Sequence, residues 1–253
     1  MKGGIVYKFD SYRIALEVLE FLKSIGFQAE IIENWSDACM YDFIVVVGGD
    51  GTILKLLQFL KECPPIFGIN TGRIGLLTHC EPDEYREKLR KALTRFEVER
   101  FMRLESTVEN QELLSLNEIA VLGARPAKLI DVEVFIDDVR VDEIRCDGIL
   151  VSTQIGSTAY ALSTGGPVID PKLESILIVP VAPFKLGWKP WVVKSDKRIR
   201  IEFDREVFVV ADGHKTIKTD RSPILIKKSK YYAYFFKMED RMERIVKKLR
   251  SIR

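Results

Sequence analysis

The sequence predicts an α/β N-terminal domain, a parallel sheet flanked by helices, followed by a mostly antiparallel all-β domain and a terminal helix. Three observations carry that expectation. Apolar β-branched runs alternate with helix-period segments as far as about Val98. Beyond it, short alternating strands and turns replace the helical period. The tail from Glu239 returns to helical spacing, with Met242, Ile245 and Leu249 on one face. The boundaries expected from these shifts are 1–98, 99–236 and 237–253, the tail packing back on a domain surface.

Taken in order, Gly4–Tyr7 reads as a first strand. Ile14, Val18, Phe21 or Leu22, and Ile25 then recur at helical spacing from Ser11, and Gly26 stops the helix. Gln28–Glu33 is a second strand. Phe43–Val47 is an unbroken apolar run, as in a strand buried on both faces. It leads into Gly48-Gly49-Asp50-Gly51-Thr52, with Thr52 expected to cap the following helix. That helix ends before Cys63-Pro64-Pro65, where proline cannot continue it. Ile66–Ile69 is a fourth strand, and a third helix follows Pro82 through Glu84–Leu93. In the second half Leu114–Val121, Ile130–Ile136, Val139–Ile144 and Gly148–Thr153 read as strands. Asp137-Asp138 is a hairpin turn between the middle two. Ile199–Phe203, Val207–Ala211, a segment at Ile217, Ile224–Lys227 and Tyr231–Phe236 continue the β series.

Composition excludes several classes. Lys and Arg number 39 against 37 Asp and Glu, a balance that gives no ground for nucleic acid or a membrane surface as partner. Cys39, Cys63, Cys80 and Cys146 are scattered, and with only His79 and His214 they offer no zinc spacing. Such cysteines suit reduced thiols in a cytosol. The first residues lack a signal-peptide layout, and no apolar run approaches the ~18 residues of a membrane span. The expectation is a soluble, cytoplasmic protein.

Chemistry concentrates in a few stretches. A buried strand, a Gly-rich turn and a helix start favour anions, since free N–H groups and the helix dipole point at the ligand. Asp50 is out of place in an anion site unless it organises a metal on a phosphate or takes a proton from an attacking hydroxyl. In parallel sheets ligands bind beyond the carboxyl ends of the strands, so Gly48–Thr52 and Asn70–Gly75 are expected to line one cleft. Asn117-Glu118 interrupts an apolar strand. Neighbouring residues there point to opposite faces, so at least one faces the interior or a cleft. The stretch Asp147–Pro167 holds more glycine and small polar residues than folding requires.

These stretches together resemble the NAD kinases, within the larger group of kinases that share a GGDGT motif. Gly48–Thr52 is similar to that motif, which does not by itself separate nucleotide, lipid and sugar kinases. Asp147–Pro167 is similar to the more specific D-G-x-x-x-S-T-P-x-G-S-T-A-Y and S-x-G-G-P signatures. Asn117-Glu118 resembles the family's N-E/D pair, and Gly68–Thr78 its G-x-N-x-G-x-x-G-F-L-T segment. Asp212-Gly213 resembles a later D-G-Q, with His214 in place of Gln. Gln154-Ile155 stands where the family has Pro-Thr or Pro-Ser, and Leu76 where Phe is common. The resemblance implies phosphoryl transfer from ATP or polyphosphate to the adenosine ribose 2′-hydroxyl of NAD, with Mg2+ or another divalent metal. It implies that Gly48, Gly49, Asp50, Gly51 and Thr52 hold the donor, with Asp50 catalytic. It further implies NAD contacts from Asn117, Glu118, Lys128, Arg145, Asp147, Ile155, Thr158, Ala159, Tyr160, Ser163, Ala182 and His214, and a homodimer or homotetramer. A GGDGT-type lipid or sugar kinase and a non-catalytic NAD- or NADP-binding regulatory module are the alternatives.

Overall fold

The structure is a computed structural model that describes residues 1–185, 187–238 and 241–251. It divides into two compact units, Met1–Arg100 with Tyr232–Arg253, and Phe101–Tyr231.

The first unit begins with strands β1 (Lys2–Tyr7), β2 (Gln28–Ile31), β3 (Phe43–Gly48), β4 (Ile66–Asn70) and β5 (Val98–Phe101). Helices α1 (Tyr12–Ser24), α2 (Asp50–Leu57) and α3 (Tyr85–Arg95) alternate with them. The second unit holds β6 (Leu104–Val108), β7 (Gln111–Ser115), β8 (Glu118–Gly123), β9 (Ile130–Ile136), β10 (Val139–Cys146) and β11 (Gly148–Thr153). After the short helix α4 (Tyr160–Ser163) come β12 (Ser175–Val181), β13 (Trp191–Lys194), β14 (Ile199–Phe203), β15 (Val207–Ala211), β16 (Lys215–Thr219) and β17 (Ile224–Lys228). The chain then adds β18 (Ala233–Phe236) and helix α5 (Arg241–Ser251) to the first unit.

The first sheet runs β2-β1-β3-β4-β18-β5, with parallel pairing from β2 across to β18. Every residue of β3 and β4 is buried, as the unbroken apolar runs require of strands covered on both faces. Val45, Val47, Phe67 and Phe236 of this sheet pack with Val18 and Leu22 of α1 and Leu89 of α3. His79 belongs to this core. Its Nδ1 accepts from Gly68 N–H at 2.9 Å, so Nε2 carries the proton and donates to Phe236 O at 2.8 Å. Burial, helped by the Arg241 charge, pushes its pKa down to about 3 and keeps the ring neutral.

The second unit contains two antiparallel six-stranded sheets, β10-β9-β14-β17-β6-β7 and β13-β12-β11-β8-β15-β16. Asp137 and Asp138 both take positive φ, 47° and 69°, as a two-residue hairpin turn of the primed kind demands.

Four expectations are corrected. Tyr231–Phe236 is not part of the β unit: β18 lies between β4 and β5 in the parallel sheet, because its apolar Phe235 and Phe236 complete the α/β core. Leu114–Val121 is not one strand, since β7 and β8 are separated at Leu116-Asn117 by a bend described below. Strands β5, β6, β12 and β13 were not expected from the sequence pattern. On α5, Ile245 is buried and Leu249 half-buried as the predicted row requires, but Met242 is 43% exposed and Arg241 takes the buried place at that end. No helix among the described residues is long and apolar enough to cross a membrane.

Candidate active site

The loop after β3 is built by close approach. Thr52 is not a cap: α2 starts at Asp50, its N-cap is Gly49 in extended conformation, and no side chain caps it. The Thr52 side chain instead folds against Gly48, where an added Cβ would lie 2.4 Å from Thr52 Oγ1. A Cβ on Gly49 would lie 3.3 Å from Gly72 Cα, so the two glycine segments pack backbone to backbone. Thr71 N–H donates to Gly48 O at 3.2 Å, and Asn70 Oδ1 accepts from Gly72 N–H at 3.1 Å. Gly48–Thr52 and Asn70–Gly75 therefore form one rim, as the strand-end argument requires.

Asp50 is held at the centre of that rim. Its Oδ2 accepts from Leu76 N–H and its Oδ1 from Leu77 N–H, both at 2.8 Å. A carboxylate has about four acceptor positions, so about two remain for a metal or a hydroxyl. Among the described residues no three His, Cys, Asp or Glu side chains gather to hold a metal ion. One carboxylate at an anion loop fits Mg2+, which is held by one or two carboxylates and the phosphates of its substrate. Asp50 has room either to hold such an ion or to take a proton from a hydroxyl.

A second constellation forms in the β unit. Asp212, fully inside the protein, receives three main-chain donors: Leu116 N–H at 2.7 Å on Oδ2, and Asn117 and Glu118 N–H at 2.8 and 3.1 Å on Oδ1. These bonds make the bend between β7 and β8. Asn117 O accepts from Ser152 Oγ at 3.0 Å and Thr153 N–H at 2.8 Å. Thr153 Oγ1 accepts from the N–H groups of Ile155 and Gly156, both at 3.1 Å. A Cβ on Gly156 would lie 2.2 Å from Asn117 O, so only glycine allows this approach. Residues 116–118, 152–156 and 212 are thus one hydrogen-bonded body. Asp212 and Thr153 were absent from the predicted site; the D-G-H match carried the signal for the first.

Glu118 does not face outward. It is 8% exposed, and its Oε2 is buried without a hydrogen-bond partner. Burial, with the nearby Asp212 charge, pushes its pKa up to about 8. Burial likewise raises Asp212, to about 6, against the opposing pull of its three amide donors and the Arg103 charge. Because folding raises the Glu118 pKa from 4.5 to about 8, its contribution favours the fold below about pH 4.5 and is lost as pH rises through about 8. Glu118→Gln is expected to flatten that loss. Urea midpoints at about pH 5 and about pH 8 measure it, and an unchanged gap between them refutes the assignment.

The other predicted residues fall into two places. Ile155 is buried within the hydrogen-bonded body, through its N–H on Thr153 Oγ1. After Gly156 the chain makes a 3-10 turn, Gly156–Thr158, then one turn of helix. Thr158 Oγ1 donates to Ile155 O at 3.2 Å and Ser163 Oγ to Tyr160 O at 2.8 Å, so neither hydroxyl caps a helix. Ala159 follows them, and the Tyr160 ring is 41% exposed, open for stacking. His214 is exposed on the Asp212 turn, its N–H donating to Ala211 O at 3.0 Å. Lys128, Arg145, Asp147 and Ala182 lie elsewhere. Asp147 is exposed and its backbone pairs with Gly123 and Val181; Ala182, with φ of 44°, comes next after Val181. A Cβ on Gly123 would lie 3.4 Å from Lys128 O and 3.5 Å from Asp147 O. This group is at the far end of β8 from Glu118, about 17 Å along the strand. Arg145 faces Asp131 at 4.0 Å, with its side chain 61% exposed.

Comparison with known proteins shows the family. The family model described as the ATP-NAD kinase N-terminal domain matches residues 30–96, and that of the C-terminal domain residues 116–238. The chain is 50% identical to the NAD kinase of Archaeoglobus fulgidus over 253 residues, covering all of both proteins. It is 40% identical to the NAD kinase of Methanosarcina acetivorans over 215 residues, 82% of this chain and 78% of that one. The crystal structure of an Archaeoglobus fulgidus NAD kinase in complex with ATP matches all of the chain with a TM-score of 0.94 at 49% identity. Yeast NADH kinase complexed with NADH, at 20% identity, shares the fold, with a TM-score of 0.87 over 99% of this chain and 87% of that one. With both halves of the chain matched and full-length identity at this level, the protein is a member of the NAD kinase family.

Proposed function

We propose that the protein transfers the terminal phosphoryl group of ATP, or of polyphosphate, to the 2′-hydroxyl of the adenosine ribose of NAD, giving NADP. The observation that carries this reading is the Asp50 carboxylate, fixed on both oxygens by amides at the mouth of a glycine loop. Backbone N–H groups of Gly49 and Gly51 would cradle the donor phosphates, while the Thr52 N–H closes the turn on Gly49 O at 3.0 Å. Mg2+, when bound, neutralises charge on those phosphates. As the 2′-oxygen bonds to phosphorus and the bond to the leaving oxygen breaks, the hydroxyl proton passes to Asp50. Asn117 and Glu118 would hold the adenosine half of NAD, with Thr158, Ala159, Tyr160 and Ser163 beside it. A protonated Glu118 could donate as well as accept, which suits ribose and base edges. Asp147 and Arg145 would serve the nicotinamide side of the dinucleotide, with Lys128, Ala182 and His214 as further NAD contacts. The assembly is read as a homodimer or homotetramer.

The test supplies purified protein with ATP, NAD and Mg2+ and follows NADP through a dehydrogenase that accepts only NADP. NADP formation that stops with chelator is the expected result. No NADP, together with tight NADP binding by calorimetry, would replace the enzyme with a regulatory binder.

A further inference from the structure

The two peptide groups that hold Asp50 are themselves gripped from behind. Leu76 N–H, on Asp50 Oδ2, belongs to the peptide unit whose carbonyl is Gly75 O. Arg244 Nε of α5 donates to that carbonyl at 3.0 Å. Leu77 N–H, on Asp50 Oδ1, belongs to the unit whose carbonyl is Leu76 O, and Arg241 Nη1 donates to it at 3.5 Å. In a trans peptide the C=O and N–H point in opposite directions across one rigid plane. Each plane therefore has a guanidinium on one side and the carboxylate on the other.

The arrangement is anchored well beyond those two contacts. Arg244 also donates to Thr78 Oγ1 at 3.2 Å and His79 O at 3.4 Å, spanning the segment with its fork of donors. Both side chains are largely withdrawn from solvent, at 11% exposed for Arg244 and 8% for Arg241. Glu81 completes the frame, taking Lys248 Nζ at 2.8 Å and Asn70 Nδ2 at 3.0 Å. The left-handed φ of Gly75, 76°, turns the first peptide so that its two ends reach opposite partners.

We propose that Arg244, seconded by Arg241, is a positioning residue for Asp50, acting through the 75–76 and 76–77 peptide groups. A cation on the carbonyl polarises the peptide and strengthens its N–H as a donor, as in any chain of hydrogen bonds. The C-terminal helix thereby sets the direction of the carboxylate without touching a substrate. The inference rests on the proposed role of Asp50.

Steady-state kinetics of wild type, Arg244→Gln, Asp50→Asn and the double variant test it. Arg244→Gln is expected to lower kcat about ten- to a hundredfold while the KM for NAD moves less than about twofold. In the Asp50→Asn background the same change is expected to cost nothing further, because the group it positions is gone. An undiminished loss in that background, or normal kcat in folded Arg244→Gln, overturns the inference while leaving the role of Asp50 standing. Normal kcat in Asp50→Asn overturns both. Arg244→Lys, which keeps the charge and one donor, is expected to recover part of kcat and carries the same cycle if Arg244→Gln does not fold. In Arg244→Lys, amide exchange by NMR is expected to speed at Leu76 and Leu77 by about tenfold; unchanged protection there overturns the inference.

Discussion

Asp50→Asn is expected to lower kcat for NADP formation by about two to four orders of magnitude, the usual worth of a general base. The substitution keeps the shape of the side chain but replaces one acceptor oxygen with an NH2 group. That group would face Leu76 or Leu77 N–H, so one of the two bonds at 2.8 Å is lost as well. NAD affinity is expected to stay within a few-fold, because the residues proposed to hold NAD belong to the other unit. Calorimetric titration with NAD and turnover assays on the same preparation separate the two effects. Near-normal turnover would remove Asp50 from the reaction. A loss of NAD binding equal to the loss of turnover would make it a binding residue.

Asp212→Ala is expected to destabilise the β unit by about 3–5 kcal/mol, the cost of breaking a buried charge arrangement by removing one member. Three main-chain N–H groups lose their acceptor, and the buried Arg103 guanidinium loses a counter-charge. The same change releases the bend that presents Asn117 and Glu118, so the KM for NAD is expected to rise. Asp212→Asn, retaining one good acceptor, is expected to fall between wild type and Ala on both measures. Guanidinium unfolding followed by tryptophan fluorescence reads the stability. A loss below about 1 kcal/mol would mean that water replaces the carboxylate, and the proposed framework at Asn117 would fail.

The parts of this protein legible in its sequence are those specified by neighbours. Phe43–Val47 announces a strand buried on both faces because no polar residue interrupts it, and β3 is buried throughout. Gly26 stops α1 with φ of 89°, a conformation glycine adopts freely. Gly48–Thr52 and Asp147–Pro167 carry the family in their order and spacing, and the relatives bear that out. Even there, local rules overreached. Thr52 looks like a cap, yet the approach of Gly49 to Gly72 starts the helix earlier and turns Thr52 toward Gly48. Strand alternation required only one of Asn117 and Glu118 to face inward, but a carboxylate far along the chain bends the backbone and both are buried.

What the tertiary structure decided is who meets whom over long separations. Asp50 is held by amides 26 and 27 residues away, and Asp212 by amides 94 to 96 residues away. Nothing in the composition of either segment names its partner. An N–H donor is the same group at every non-proline residue, so a backbone partner leaves no letter in the sequence to be read. Strand β18 shows the same limit, since its apolar pattern would suit either unit and only the open place beside β4 draws it to the first. The sequence by itself determined the family and the change from an α/β half to a β half, and it singled out Asp50 as the candidate carboxylate. Folding decided how that carboxylate is held, which buried acid bends the chain at Asn117-Glu118, and that the last helix stands behind Asp50.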